Sequence, residues 1–423
     1  MKNQWISILI VGMTLGTAWA IRGQFGHEQG AAWAGAIGAL ALVIVSKRKD
    51  WYKKMFLIAL SSAVGWGTTG MISYGIVVGY GRSDNFPNAL YGLLMLLVIG
   101  GLFGLLGGGL TGLTLESTNQ KRVKWGCLLA EMAVGGVIVY YLLVGQLGIL
   151  MTPPRSEAWA VCLGAGLAMI WHMARNDYRS PLRVALITAM GAGFGFAFGN
   201  FLQIFGNVLE INFNMWNVME YSIGFFGGIS LAYSVLSSEW PEESYVPARW
   251  ENYSALLIVY VFIPLIIFSE SLGFAKLLND FSDFANPENT ALVSSLAAGF
   301  ILITVAVVAL YKLFKSGILL VRKDVILLFA LHFAAYIMVS YIVKGAFAGK
   351  FLLNHHLYWV NFIIILYLML KQFPAFFENL VSEINGKKLV IYFIGIVIII
   401  TLLVLISINI HGEMGGAHDR FNL

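Results

Sequence analysis

Residues 22–30 read RGQFGHEQG and lie between two largely apolar stretches, at 5–22 and 30–46. The loop places a guanidinium, two amides, an imidazole and a carboxylate close together in a chain that otherwise avoids charge. Two apolar stretches joined by a short polar loop predict a helical hairpin across a membrane, since one span needs about 20 residues. The loop therefore marks a membrane boundary and concentrates polar chemistry there.

The composition of the whole chain agrees with this hairpin. Of 423 residues, 59% are hydrophobic and only 12% are charged, and the mean hydropathy is +0.78. Soluble proteins carry about a quarter charged residues, so the composition predicts an integral membrane protein with the lipid bilayer as its surroundings. The net charge of +5 follows from where Lys and Arg lie along the chain, and no nucleic-acid partner is expected.

Apolar stretches long enough to cross the hydrocarbon core recur along the whole chain. Because lipid offers the backbone no hydrogen-bond partner, each span has to satisfy its own peptide groups, and helices are predicted. The sequence predicts an all-α polytopic membrane protein with about thirteen spans: 5–22, 30–46, 54–79, 89–115, 125–148, 157–174, 183–206, 217–237, 254–276, 290–314, 324–345, 355–371 and 389–410.

The distribution of Lys and Arg predicts the orientation. With the N-terminus inside, 20 of the 27 Lys and Arg fall in inside connections and the remaining seven fall outside. Cytoplasmic loops carry such an excess, so the chain is predicted to be N-in and C-out. The loop RGQFGHEQG then faces outward. Short loops and a composition rich in Lys and Ile are typical of a bacterial cytoplasmic (inner) membrane protein.

Glycine divides the chain at 237–253, SSEWPEESYVPARWENY: 36 of the 46 glycines precede residue 241. We expect a Gly-rich eight-helix bundle over 1–240 and a five-helix hydrophobic bundle over 241–423. In the first bundle, glycines four apart favour close helix packing of the GxxxG type. In the second, an apolar stripe near 373–386 predicts an interfacial helix.

A repeated pattern subdivides the first bundle. Glu28, Glu157 and Glu220 each precede a pair of small residues by seven positions, at the outer ends of three predicted spans. The pattern predicts an internal repeat of four helical hairpins in one orientation, as in some transporters. Such a repeat would gather the outer hairpin tips around one axis.

Polar side chains at these tips are the candidate site residues. Arg22 has the planar fork that binds carboxylate or phosphate, although it could equally anchor the helix or pair with a hairpin glutamate. The segment 199–220 alternates amides with apolar residues, which predicts a re-entrant or cavity-lining segment. The expected solute-binding residues are Arg22, Gln24, His27, Glu28, Gln29, Asn200, Gln203, Asn207 and Glu220.

These residues favour a secondary transporter or channel for a small polar or anionic solute. Arg22 would hold the anion, the amides would hydrogen-bond it, and Glu28 or Glu220 would take a coupling cation or proton. One alternative is a membrane-embedded enzyme acting on an external glycan or lipid, with His27 and Glu28 as acid and base. The other is a non-catalytic membrane assembly subunit.

Features of the sequence weigh on these alternatives. No connection is long enough for an extramembrane domain that would handle an activated donor, which disfavours the enzyme. The polar residues cluster on the outer side and do not form a path through the membrane, which counts against the transporter.

No cofactor or metal is expected, because the outer histidines lack ligand spacing. Assembly as a homo-oligomer, or with a membrane partner, is left open.

Overall fold

The computed structural model describes residues 4–316, 319–371 and 373–421. Within these ranges the chain is all-helical, with 77% helix and no strand. The α-helices are α1 (Gln4–Arg22), α2 (His27–Ser46), α3 (Lys49–Lys53), α4 (Met55–Gly70), α5 (Gly75–Gly81), α6 (Phe86–Glu116), α7 (Trp125–Tyr140), α8 (Glu157–Arg175), α9 (Arg179–Val208), α10 (Met215–Leu236), α11 (Arg249–Leu257), α12 (Ile263–Ile267), α13 (Phe274–Asp280), α14 (Pro287–Ser316), α15 (Arg322–Val343), α16 (Leu353–Leu370) and α17 (Gly386–Ile410). Helical turns of other types are Tyr141–Gln146, Ile258–Phe262 and Phe268–Leu272, which are π-helical, and Ala346–Ala348, which is 3₁₀.

Eleven helices in the described ranges are long and apolar enough to cross a membrane, and there are twelve if α4 and α5 form one bent span. These two helices meet at 69° and together occupy the predicted span 54–79. The predicted span 217–237 is the helix α10, which is not among the eleven. It carries Glu220 and three serines, and these lower its mean hydropathy. The all-α, multi-pass class is confirmed, at the level of eleven or twelve apolar spans.

The centre of the molecule is a set of helices in backbone contact. A Cβ added at Gly104 of α6 would lie 2.2 Å from the backbone oxygen of Thr188 in α9. One added at Gly100 would lie 2.5 Å from the oxygen of Ala192. Small residues allow this approach, and in lipid the resulting van der Waals contact replaces the hydrophobic drive that is absent between helices. The glycines therefore fix how closely α6 and α9 pack.

The contact between α1 and α10 brings Arg22, at the end of α1, close to Glu220, in the second turn of α10. A Cβ at Gly224 would lie 2.4 Å from the backbone oxygen of Leu15, and one at Gly12 would lie 3.2 Å from that of Phe225. These pairings run in opposite directions along the two helices, so α1 and α10 are antiparallel. The C-terminal end of α1 consequently meets the first turns of α10.

The helices after residue 240 pack around this centre. Helix α15 lies against α2, α16 lies against α1, and α17 lies against α6 and α9. Helix α17 is largely exposed at the surface of the molecule, and its buried residues are Ile400, Val404 and Ser407. The second part of the chain thus contacts the first along several helices.

The interfacial helix predicted near 373–386 is not formed, and residues 373–385 are irregular. Their backbone groups bond to the ends of other helices: Gln4 Nε2 donates to the oxygen of Phe376, and the Phe377 and Val381 amides donate to the carbonyls of Leu236 and Ser237, each at 3.0 Å. A helix would need those groups for its own ladder, and the proline in the segment lacks an N–H. Tertiary hydrogen bonds therefore override the amphipathic pattern.

Residues 411–421, the C-terminal tail, dock against the corner between α5 and α6. Asn88, which is completely buried, donates to Asp419 Oδ1 at 3.0 Å and accepts from the backbone amides of Arg420 and Phe421 at 2.7 and 2.8 Å. The ring of Phe421 packs edge-on against Tyr91 at 5.4 Å. The tail thereby ties one end of the sparsely packed helix α17 to the rest of the molecule.

Replacing Gly104 with Ala tests the α6–α9 contact. The added methyl group would meet the Thr188 carbonyl, so we expect a loss of about 1–3 kcal/mol of stability, as for other overpacked sites. Thermal unfolding in detergent measures the change. Gly101→Ala on the same helix is the matched control, because its nearest neighbour lies 3.7 Å away and its stability should hold or rise. Equal effects of the two substitutions would contradict the packing.

Replacing Asn88 with Ala tests the tail contact. The substitution removes the hydrogen bonds to residues 419–421, and we expect a carboxypeptidase to digest the tail several-fold faster, because local opening becomes easier. The rate of C-terminal shortening, followed by intact-mass spectrometry, is the measurement. Asp84→Ala, at an exposed position of the same corner, should digest at the parental rate. Unchanged digestion of the Asn88 variant would show that the tail is held elsewhere.

Candidate functional site

A cavity of about 770 Å³ opens at the face where α1 ends and α2 begins. We call it the polar cavity. Both parts of the chain line it, since α1, α2, the α4–α5 break and α10 face α16 and the end of α15 across it. The polar and charged lining residues are Gln24, His27, Ser73, Tyr74, Arg155, Asn214, Asn217, Glu220, Lys344, Asn354 and His355.

Beneath the polar cavity lies an ion pair between α1 and α10. Arg22 Nη2 lies 3.1 Å from Glu220 Oε2, and Arg22 Nε donates to the same oxygen at 3.2 Å. The hydroxyl of Tyr74 donates to Glu220 Oε1 at 2.6 Å and accepts from Arg22 Nη2 at 2.5 Å. Arg22 Nη1 donates to His27 Nδ1 at 3.0 Å, which leaves the His27 proton on Nε2 in the neutral ring.

Helix packing and charge explain why this cluster forms. Arg22 is completely buried, and it lies at the C-terminal end of α1, where the helix dipole favours a cation. Its guanidinium also lies 4.9 Å from the centre of the Trp19 ring. A buried guanidinium needs a counter-ion, and the antiparallel α1–α10 contact supplies Glu220. All three guanidinium nitrogens are engaged, so Arg22 supports the cavity wall and is not free to bind a solute.

Four of the nine predicted site residues lie at or directly beneath the polar cavity: Arg22, Gln24, His27 and Glu220. Gln24 Oε1 accepts from Ser340 Oγ at 2.9 Å and faces His355 Nε2 at 3.4 Å. The loop RGQFGHEQG is thereby fastened to α15 and α16.

The other five predicted residues lie elsewhere. Glu28 is exposed outside the cavity lining, and Gln29 donates to Glu270. Asn200 and Gln203 are completely buried in α9, where Asn200 Nδ2 donates to Gln203 Oε1 at 3.2 Å, and Asn207 is exposed.

The segment 199–220 is not re-entrant. It is the end of α9, a short turn and the beginning of α10, and its second half does line the polar cavity, through Asn214, Asn217 and Glu220. In a continuous helix, Asn200 and Gln203 share one face, and that face lies against the α5 glycine Gly81 and not against the cavity.

Arg155 and Lys344 line the cavity and were missed by sequence reasoning. Neither makes an ion pair with a carboxylate in the ranges that the structure describes. The signal that could have found them is the one that singled out Arg22, an outer-side cation against the positive-inside bias. The seven outer-side cations of the predicted topology are Arg22, Arg82, Arg155, Lys276, Lys344, Lys350 and Arg420.

Charge in the polar cavity is therefore unbalanced. Glu220 is the carboxylate among its described lining residues, and Arg22 neutralises it from below. Arg155 and Lys344 remain as two cations on the wall. Asn217, Asn354 and Tyr358 form a hydrogen-bonded group at 2.8–2.9 Å that joins α10 to α16 on one side. The arrangement can bind an anion that also offers or accepts hydrogen bonds.

A layer of aromatic rings packs behind Arg22 and Tyr74. The rings of Trp19 and Trp66 lie 5.0 Å apart, and Trp19 and Phe103 lie 5.4 Å apart. Tyr74 contacts Phe196 at 5.0 Å in the same layer. The two tryptophans and the two phenylalanines are completely buried, and none of the four lines the polar cavity.

Removing the counter-ion tests the buried pair. Glu220→Ala leaves Arg22 charged and unpaired, and the free energy of unfolding should fall by about 3–5 kcal/mol. Tyr74→Phe removes only hydroxyl hydrogen bonds and should cost about 1–2 kcal/mol. SDS-induced unfolding in mixed micelles ranks the two variants. A Glu220 variant as stable as the Tyr74 variant would mean that Arg22 is hydrated.

Among the described residues, no three His, Cys, Asp or Glu side chains come together as a metal-binding group. No family model matches the chain, and neither the curated proteins nor the solved structures gave a match.

Proposed function

We propose that the chain is a secondary transporter that takes a small anionic solute from the polar cavity across the membrane. The observation that carries the proposal is the unbalanced charge of the cavity: Arg155 and Lys344 face a space of about 770 Å³ whose carboxylate, Glu220, is already paired. A volume of this size suits a small metabolite. The two exposed cations attract such an anion and favour it over cationic or neutral solutes.

The backbone around the cavity supports transport over simple binding. Helices α4 and α5 are separated by residues 71–74, which line the cavity, at a bend of 69°. Non-helical backbone at membrane depth is tolerated where it lines a cavity, and transporters place substrate at such broken helices. The aromatic layer beneath then corresponds to a closed gate, with the cavity open on one side.

The topology proposed with this function has thirteen spans, counting α10 and the bent α4–α5 pair as one span each. With the N-terminus inside, the polar cavity opens to the outside of a bacterial cytoplasmic membrane. The four hairpins of the internal repeat would be α1–α2, α4–α6, α7–α8 and α9–α10. Of the three repeat glutamates, Glu220 lies at the cavity, whereas Glu28 and Glu157 are exposed away from it.

Each polar residue has a role in the proposal. Arg155 and Lys344 bind the anionic group, and Gln24, Asn217 and Asn354 hydrogen-bond the rest of the solute. Glu220, one of the two carboxylates expected to take a coupling proton or cation, keeps that role in the proposal. The other carboxylate expected to take the coupling proton or cation, Glu28, has no such role in the proposal.

The alternatives find less support. The enzyme alternative needs His27 and Glu28 together, but His27 Nδ1 accepts from Arg22 while Glu28 lies outside the cavity lining. An assembly subunit has no use for a cationic cavity. Both alternatives remain outcomes of the experiment below.

Uptake by proteoliposomes tests the proposal. Small carboxylates, phosphate esters and sulfonates should enter, whereas cationic and neutral solutes of equal size should not. Replacing Arg155 and Lys344 together with Gln should raise the KM for the anion about fivefold or more, because each exposed cation contributes roughly 0.5–1 kcal/mol to binding. High salt should reduce the difference between parent and variant.

Lys350→Gln is the matched control, since it removes an outer-side cation that contacts the Phe284 ring and not the cavity. It should leave the KM unchanged. Saturable binding of anions without uptake would favour the assembly subunit, and turnover of an external glycan or lipid without uptake would favour the enzyme. Uptake that does not depend on Arg155 and Lys344 would move the site away from the polar cavity.

A further inference from the structure

A second cavity, of about 500 Å³, lies at the opposite ends of the helices. We call it the apolar groove. It runs between α4, α6, α7 and α11, and its walls are formed mainly by Leu57, Leu60, Val64, Leu110 and Leu129. The groove is separate from the polar cavity and shares no lining residue with it.

The depth of the apolar groove matches one leaflet of a bilayer. Along α4 its lining extends from Lys54, just before the helix, to Val64. Ten residues of α-helix rise about 15 Å. This is half of the roughly 30 Å hydrocarbon core, so the groove covers the length available to an acyl chain of one leaflet.

The mouth of the groove is cationic and aromatic. The guanidinium of Arg122 lies 3.8 Å from the centre of the Tyr245 ring, and its side chain is 54% exposed. Trp125 and Trp250 also line the groove at this end. Trp, Tyr and Arg together are typical of the level where lipid headgroups begin.

Arg122 pairs with Glu251 at the mouth, but its guanidinium donates no hydrogen bond to a described residue. Glu251 Oε1 lies 3.6 Å from Arg122, beyond a hydrogen bond, and the other carboxylate oxygen accepts from the Tyr245 hydroxyl and the Ala248 amide. The Lys54 ammonium is occupied by the backbone oxygens at the end of α6, the nearest being that of Thr114 at 2.8 Å.

Two further lysines, Lys121 and Lys124, are exposed in the same loop as Arg122. The loop therefore presents three cations, with Glu251 beside Arg122 and with Glu116 and Asp177 near Lys121.

We propose that the apolar groove binds one anionic phospholipid of the leaflet on the side of the N-terminus. One acyl chain lies between α4, α6 and α7, and the phosphate lies against Arg122. The apolar walls of the groove favour a hydrocarbon chain, and the cation at its mouth favours a lipid with net negative charge. This site is independent of the solute proposed for the polar cavity.

Brominated phospholipids, which quench tryptophan, test the proposal on the full chain in detergent. Brominated phosphatidylglycerol should quench saturably, and the component that disappears in Trp250→Phe reports the groove. Brominated phosphatidylcholine should bind that component about fivefold more weakly, the effect of roughly one basic contact. Arg122→Gln should reduce the phosphatidylglycerol affinity by a similar factor.

Two variants serve as matched controls. Lys315→Gln removes an exposed cation outside the groove and should bind phosphatidylglycerol as the parent does. Ser61→Phe fills the groove and should abolish the Trp250-dependent component for both lipids, with thermal unfolding checking that the variant is folded. Equal affinities for the two lipids, an Arg122 variant that matches the Lys315 control, or quenching that persists in a folded Ser61 variant would each overturn the proposal.

Discussion

A guanidinium buried among membrane helices has to be neutralised, and much of this structure follows from how Arg22 meets that requirement. Desolvating a charge costs several kcal/mol, which only a close counter-ion with good hydrogen bonds offsets. Glu220 supplies it at 3.1 Å, with Tyr74 bridging the two side chains. The pair is possible because Gly12 and Gly224 let α1 and α10 touch along their backbones.

The same pair determines what the polar cavity can bind. Since Glu220 is neutralised from below, the unpaired charges on the cavity walls are those of Arg155 and Lys344. Lys344 lies at the end of α15, beyond the glycine boundary near residue 240, so the second part of the chain completes the site. Gln24 and Asn217 fasten the first part to that second part by hydrogen bonds to Ser340 and Asn354. The charge of the polar cavity therefore depends on how the helices of the two parts pack together.

The sequence predicted the features that depend on composition and local pattern. Hydropathy gives the all-α membrane class, because lipid forces apolar segments to satisfy their own backbone. Arg22 is a candidate because a cation on the predicted outer side runs against the positive-inside bias, and pairing with a hairpin glutamate is one of the three uses expected for it. Arg155 and Lys344 carry the same signal, but their meeting depends on the packing of α15 and α16 against the first part of the chain.

The wrong predictions concern features that tertiary structure decides and the local sequence pattern does not. Asn200 and Gln203 are buried inside the protein because α9 continues to Val208. The mixture of amides and apolar residues did not reveal that this helix is continuous. The helix predicted near 373–386 is replaced by hydrogen bonds from this segment to the ends of other helices, which a local amphipathic pattern does not reveal.

Locating a bound anion would show whether the polar cavity is an anion site. Crystals of the protein soaked in bromide or iodide, measured for anomalous scattering, would place the anion without assuming its chemical identity. We expect a peak in the polar cavity between Arg155 and Lys344, with Arg22 still paired to Glu220. A peak on Arg22, with Glu220 displaced, or an empty cavity at saturating halide would contradict it.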